Sequence, residues 1–236
     1  MPDAFKLTWD DIGNKLFETG IDRGVLYPYV TPAQNTDTTA SGYTPYSVGV
    51  AWNGLTSVSE SPSGADSNKQ YADNGVYANL RGAEEFGGTI EAFTYPDEWM
   101  ECDGSAVVAT GVIAGQQTRK SFGLSYRTLI GNDTAGLDHG YKIHLVYGAT
   151  ASPSERSYET VNDSPEAATM SWEYDTVPVG ITIDGTLKKT ALLTIDSTKV
   201  DATKLASFEA ILYGTTGTGA TDAKLPLPND VIAHFA

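Results

Sequence analysis

The chain has 236 residues, enough for one large β-rich domain or two smaller ones. Its 24 glycines, 11 prolines and 13 tyrosines favour many strands and turns over long helices. Thirty acids against 15 bases give a formal net charge of −15, which argues against a nucleic-acid-binding surface, because gripping phosphate needs clustered Lys and Arg.

The single cysteine, Cys102, permits no internal disulfide and points to folding in a reducing cytosol. No histidine lies near it and acids surround it, which disfavours a thiolate nucleophile. The N-terminus lacks the apolar core of a signal peptide, and no run is apolar enough for a membrane span.

In chain order, Asp10 or Asp11 could cap a short helical turn through Ile12, Leu16 and Phe17, stopped by Gly20. Residues 24–30 (GVLYPYV) read as a strand, part of it at an edge because of Pro28. Residues 31–42 are a polar loop, and a strand is expected around Ser47–Trp52. Residues 59–68 (SESPSGADSN) have no apolar periodicity and read as loop. Tyr71 to Leu80 alternates. Residues 87–95 form a strand with Ile90 and Ala92 on one face, and Pro96 opens a short helical turn that Gly104 closes.

Residues 104–118 read as extended and partly exposed. Residues 119–130 alternate, with Phe122, Leu124 and Tyr126 on one side. Residues 140–149 alternate again, with Tyr141, Ile143, Leu145 and Tyr147 on one face and Lys142 and His144 on the other. With a ten-residue loop between them, the two runs predict an antiparallel hairpin with an aromatic and branched core face. Short strands are expected at 158–161, 168–177 (Met170, Trp172 and Tyr174 on one face), 179–183 and 187–195, the last two joined by an Asp184-Gly185 turn. About nine strands suit an all-β sandwich or barrel. Over 201–213 the period changes: Asp201 caps a helix, Leu205, Phe208, Ile211 and Leu212 form its apolar stripe, and Gly214 ends it. Residues 231–235 read as a final short strand.

The order Trp52-Asn53-Gly54-Leu55, a Ser/Glu/Gly loop, Tyr71-Ala72-Asp73-Asn74, then Gly87-Gly88-Thr89-Ile90-Glu91-Ala92 and Tyr95-Pro96-Asp97-Glu98 resembles the major tail proteins (tail tube proteins) of long-tailed, non-contractile bacteriophages. The likeness runs over residues 20–145 and softens from 150 onward. It implies a mainly β fold, an antiparallel β-sandwich or barrel with long loops and one flanking helix (201–213), spanning 1–236 as one domain. It further implies hexameric rings that stack into a tube delivering DNA, with the tape-measure, tail-tip and terminator proteins as partners and no membrane. The place would be the virion, after assembly in the host bacterial cytoplasm. In that family a long loop at about 56–75 contacts the neighbouring ring; here it carries Ser59, Glu60, Ser61, Asp66, Lys69, Tyr71 and Asp73.

Residues 51–104 hold ten acids and two bases, a net −8 of the total −15. Glu84, Glu85 and Glu91, which border the 87–95 strand, are candidates to line the tube, where an acidic wall would repel passing DNA without binding it. The plainer alternative is a solvated acidic outer surface.

No constellation carries chemistry, so neither catalytic residues, a cofactor nor a metal is expected. Gly217-Thr218-Gly219 is in the wrong context for a phosphate loop, His139 and His144 lack metal-ligand spacing, and the adjacent acids Glu84-Glu85 and Asp97-Glu98 are better explained by solvation. The competing reading is a β-sandwich carbohydrate- or surface-binding module that stacks Trp52, Trp99 or Trp172 on sugar rings.

Overall fold

The alternating runs do form strands, and a computed structural model of the chain describes residues 9, 11–31, 44–158, 160, 163 and 167–236. The elements are β1 (Phe17–Pro28), β2 (Val50–Ala51), β3 (Leu55–Glu60), β4 (Ser63–Gly64), β5 (Ser67–Ala72), β6 (Gly75–Arg81), β7 (Glu84–Glu85), β8 (Gly87–Ala92), α1 (Trp99–Asp103), β9 (Ala106–Ala109) and β10 (Val112–Ala114). There follow β11 (Phe122–Asn132), β12 (Gly136–Ala151), β13 (Met170–Thr176), β14 (Val179–Ile183), β15 (Thr186–Thr190), β16 (Leu192–Asp196), α2 (Ala202–Tyr213) and α3 (Pro228–Phe235). The fold is mainly β, as expected, with every strand pair antiparallel.

The principal sheet runs β2-β1-β11-β12-β13-β8-β3, with β16 also on β12. It curls until its far edge reaches β1: a Cβ on Gly24 would lie 2.9 Å from Leu55 of β3, while Trp52 N–H continues the β1–β2 ladder by donating to Gly24 O (2.8 Å). Inside the curl is a tryptophan core. Trp52, Trp99 and Trp172 lie 4.7–5.8 Å apart between ring centroids, with Phe122 4.9 Å from Trp99. Trp99 comes from α1, which ends at Gly104 in the left-handed region (φ 79°) as predicted.

On the outer face of the same sheet lies a second core. There Val25, Tyr27, Ile143, Leu145 and Tyr147 meet Leu205, Phe208 and Leu212 of α2, with Leu225 and Val231. Asp201 Oδ1 caps α2 by accepting from the Thr203 and Lys204 amides (2.9 and 3.0 Å). Tyr27 Oη donates to Leu212 O (2.9 Å) and Tyr147 Oη to Pro226 O (3.0 Å), so the buried hydroxyls also tie the C-terminal segment to the sheet. Along β1, Val25 and Tyr27 serve the outer core while Leu26 serves the inner one.

Several expectations need correction. Phe122, Leu124 and Tyr126 do not share a core face with Tyr141–Tyr147. Register pairs Leu124 with Val146 and Tyr126 with His144, so the first stripe faces the tryptophan core and the second faces α2. The expected ten-residue loop between them is three residues, because Asn132 Oδ1 accepts from the Thr134 and Ala135 amides (3.2 and 2.6 Å) and closes a tight turn. The turn at Ile12–Gly13 leads not into a helix but into β1, which already begins at Phe17. The strand expected around Ser47–Trp52 is only two residues, and residues 187–195 break at Ala191 into β15 and β16.

Residues 231–235 are helical, not a strand. Pro228 starts α3 at its first turn, where a missing N–H costs nothing, and Val231 and Phe235 share one face. Asp10, most of the polar loop at 31–42, and residues 159 and 161 of the strand expected at 158–161 lie outside the described residues.

Phe208 is fully buried between sheet and helix. Phe208→Ala is expected to lower unfolding stability by about 3–5 kcal/mol, read as a lower urea midpoint at unchanged m-value; a change near zero would place this ring at the surface.

Candidate assembly arm

The stretch expected to be a loop is a β ribbon. From Glu60 the chain leaves the β3–β8 pair, runs out through β4 and β5, turns at Asp73-Asn74 and returns through β6 and β7 to Gly87. Asp73 and Asn74 both have positive φ (50° and 61°), the geometry of a tight hairpin turn, and Asn and Gly75 suit it. Residues 59–68 show no apolar periodicity because neither face of the ribbon packs on a core.

The arm, residues 61–86, reaches up to about 40 Å at a strand's rise per residue. Every residue of β5 is exposed. Tyr71, Val76, Tyr77 and Leu80 are exposed by 71, 55, 77 and 58 %, unusual for large apolar side chains. Leu80, opposite Asn68, and the cross-strand pair Tyr71–Val76 lie on opposite faces, so both faces are uncovered. A two-stranded ribbon with no covered face is marginal alone, and large apolar groups held this way mark an interaction surface. The ribbon 67–81 holds two bases, Lys69 and Arg81, and one acid, Asp73, making it net positive in a chain of −15.

Of the candidate stacking residues, Ser61, Asp66, Lys69, Tyr71 and Asp73 belong to the arm and are exposed. Ser59 and Glu60 do not: they are the last residues of β3 and part of the body. Glu60 is the arm's footing. Its Oε1 accepts from Tyr126 Oη (2.5 Å) and lies 3.3 Å from His144 Nδ1. The imidazole stacks flat on the Tyr126 ring (4.7 Å, 4°), with Nε2 3.0 Å from Thr128 Oγ1. His144 therefore points into the inner face rather than to solvent, because a sheet buried on both faces offers no outward side at that position. Burial lowers the His144 pKa, with Glu60 opposing it, while burial and then the Glu60 hydrogen bond raise that of Tyr126. Composition does not disclose this footing; the only available sign was the cross-strand register of Tyr126 and His144.

Glu84 and Glu85 form β7 at the base of the arm, exposed and opposite Gly64 and Ser63. Glu91 lies on β8 between inward-facing Ile90 and Ala92, and its Oε2 accepts from Ser57 Oγ (2.9 Å). Glu91 is thus up to about 20 Å along the strand from Glu85. Trp52, Trp99 and Trp172 are exposed by 3, 0 and 0 %, so none of them can stack on a sugar. Cys102 is buried beside them, its thiol pushed up to about 12 by burial, with Lys120 opposing and the acids Glu101 and Asp103 adding to it. Among the described residues no three of His, Cys, Asp and Glu cluster to hold a metal ion, and no helix is long and apolar enough to cross a membrane.

Residues 104–118, expected to be extended and partly exposed, hold a second exposed ribbon. In β9–β10, Val107, Val108, Val112 and Ile113 are exposed by 53–64 %.

No protein-family profile matches the chain, and no curated protein matches it. Among solved structures it is similar to a chain of the anti-feeding prophage (AFP) baseplate, determined by cryo-EM and 6-fold symmetrised. The TM-score is 0.34 and the identity 7 %, over 80 % of this chain and 97 % of that one. A likeness this distant says nothing of function.

The lowered His144 pKa carries a sign. The unfolded chain takes up the proton first, near pH 6.5, so stability falls as pH drops below that value toward the lower folded pKa. His144→Asn is expected to flatten the slope of stability against pH between 7 and 5, at most about 1.4 kcal/mol per pH unit. Unchanged slopes in paired denaturation series would show that His144 is not the titrating group.

Proposed function

We propose that this chain is a structural, non-enzymatic subunit of a long-tailed phage tail that assembles with copies of itself into stacked hexameric rings, forming a tube for DNA. The observation that carries the reading is the arm: a ribbon with four large apolar side chains exposed on both faces, whose outer part, residues 67–81, is net positive on an acidic chain. It occupies the part of the sequence whose motifs resemble the inter-ring loop of tail tube proteins. A ribbon of this kind gains stability when a second surface covers it, which couples arm packing to assembly. The tape-measure, tail-tip and terminator proteins would meet the ends of such a tube, and the particle would be built in the host cytoplasm. The excess of acids fits a wall that lets DNA slide without holding it, since repulsion reaches about 8 Å at physiological salt.

The experiment is microscopy and sedimentation of the purified chain over a concentration series, with the tail-tip partner added as a seed. Rings or tubes are expected; a strict monomer under all these conditions overturns the proposal. The triple variant Tyr71→Ser, Tyr77→Ser, Leu80→Ser removes exposed groups only. It is expected to change unfolding stability by under about 0.5 kcal/mol while abolishing tubes. Glu84→Gln, Glu85→Gln, Glu91→Gln should leave tubes intact and increase retention of duplex DNA at low salt, measured by filter binding; no change would move these acids to the outer surface.

A further inference from the structure

Two uncovered ribbons leave opposite ends of one strand pair. β3 and β8 are antiparallel, with Leu55 opposite Ala92 at one end and Glu60 opposite Gly88 at the other. The arm leaves and returns at the Glu60 end, where Ser61 N–H donates to Gly87 O (2.8 Å). The β9–β10 ribbon follows α1 at the Ala92 end, where Phe93 N–H donates to Gly54 O (2.8 Å), and is anchored to α1 by Gln117 N–H donating to Gly104 O (2.8 Å). About 17 Å of strand separates the two ends of the pair.

The ribbons match chemically. Residues 105–118 contain no charged residue, in a chain with 45 of them. Val112 and Ile113 are neighbours on opposite faces, Val107 pairs with Ile113, and these three and Val108 are all exposed by more than half. Phe93, exposed by 51 %, and the exposed acids Asp97 and Glu98 lie at the same end of the body, where Glu101 is already paired with Lys120 (2.9 Å). The arm ribbon presents apolar groups with Lys69 and Arg81. Two copies each carrying −15 repel, so contact is favoured where charge is absent or opposite.

We propose that the β9–β10 ribbon is the acceptor for the arm of a second copy of this chain, with Lys69 and Arg81 facing the acidic α1 end. The inference rests on reading the arm as a self-association element and adds the surface it meets. The contact is heterologous: a free arm remains at one end of any stack and a free acceptor at the other, so it propagates in one direction. Arm-to-arm pairing would bring Lys69 and Arg81 against their own copies, and it would close after two subunits.

The test is site-directed cross-linking with Tyr77→Cys and Val108→Cys. Native Cys102 is fully buried and stays silent. Oxidising the double variant under assembling conditions is expected to give a ladder of multimers on a non-reducing gel that dithiothreitol collapses. Each single variant alone should give no cross-link, and an equal mixture of the two should give dimers only. Because a disulfide demands Cα atoms within about 7 Å, a benzophenone side chain at position 77 with peptide mapping is run alongside; products within 105–118 are expected. Val108→Asp with Ile113→Asp should lower assembly at least tenfold with the arm intact. Wild-type tubes whose position-77 adducts map elsewhere overturn this inference and leave the proposed function standing. Dimers from Tyr77→Cys alone show arm-to-arm pairing and overturn it equally. A wild-type chain that never assembles overturns both.

Discussion

Burial of one sheet on both faces is the constraint from which the rest of the structure follows. Alternate residues of β1 and β12 must be apolar toward two different cores, so Val25, Leu26 and Tyr27 are all buried in succession, as are Leu145, Val146 and Tyr147. The inner core is filled by aromatic rings that no exposed sheet could retain, and the outer core requires α2 and α3 as a lid. Gly148 sits where these demands collide. Its φ is +62° and a Cβ there would lie 2.2 Å from Val177 O, so only glycine allows the local bulge after which Ala149 and Ala151 face the inner core.

Against that doubly covered body, the two ribbons stand out as surfaces with no cover at all. The arm continues the β3–β8 ladder outward, so its root is fixed by main-chain hydrogen bonds and by Glu60, while its outer part has neither core nor lid. The contrast is one of energetics. Strands of the body gain from burial on both sides, whereas β5–β6 and β9–β10 keep large apolar groups in water, a cost that association would offset.

The footing at Glu60 couples the arm to the body through polar contacts. A carboxylate that accepts from a buried tyrosine and adjoins a stacked histidine holds the end of β3 in one orientation, and so sets the direction in which the arm leaves. The three tryptophans that a sugar-binding reading would place at the surface instead fill the interior, where α1 delivers Trp99 into the closing sheet.

Local chemistry determined much of this in the sequence alone. The cap at Asp201, the stripe of Leu205, Phe208 and Leu212, the left-handed Gly104, the Asp184-Gly185 turn and the inward Ile90 and Ala92 are set by neighbours within a few residues, and each was legible. What depended on distant partners was not. Periodicity shows that Phe122–Tyr126 and Tyr141–Tyr147 each have an apolar face, but only the register between them decides that these faces are opposite ones. A strand propensity also cannot say whether its face will be covered, which is why the arm resembled a loop and β9–β10 looked merely extended. His144 drew a solvent position from alternation, and only closure of the sheet placed it against Tyr126 and Glu60, because burial is a property of what packs from elsewhere in the chain and not of the strand that carries the residue.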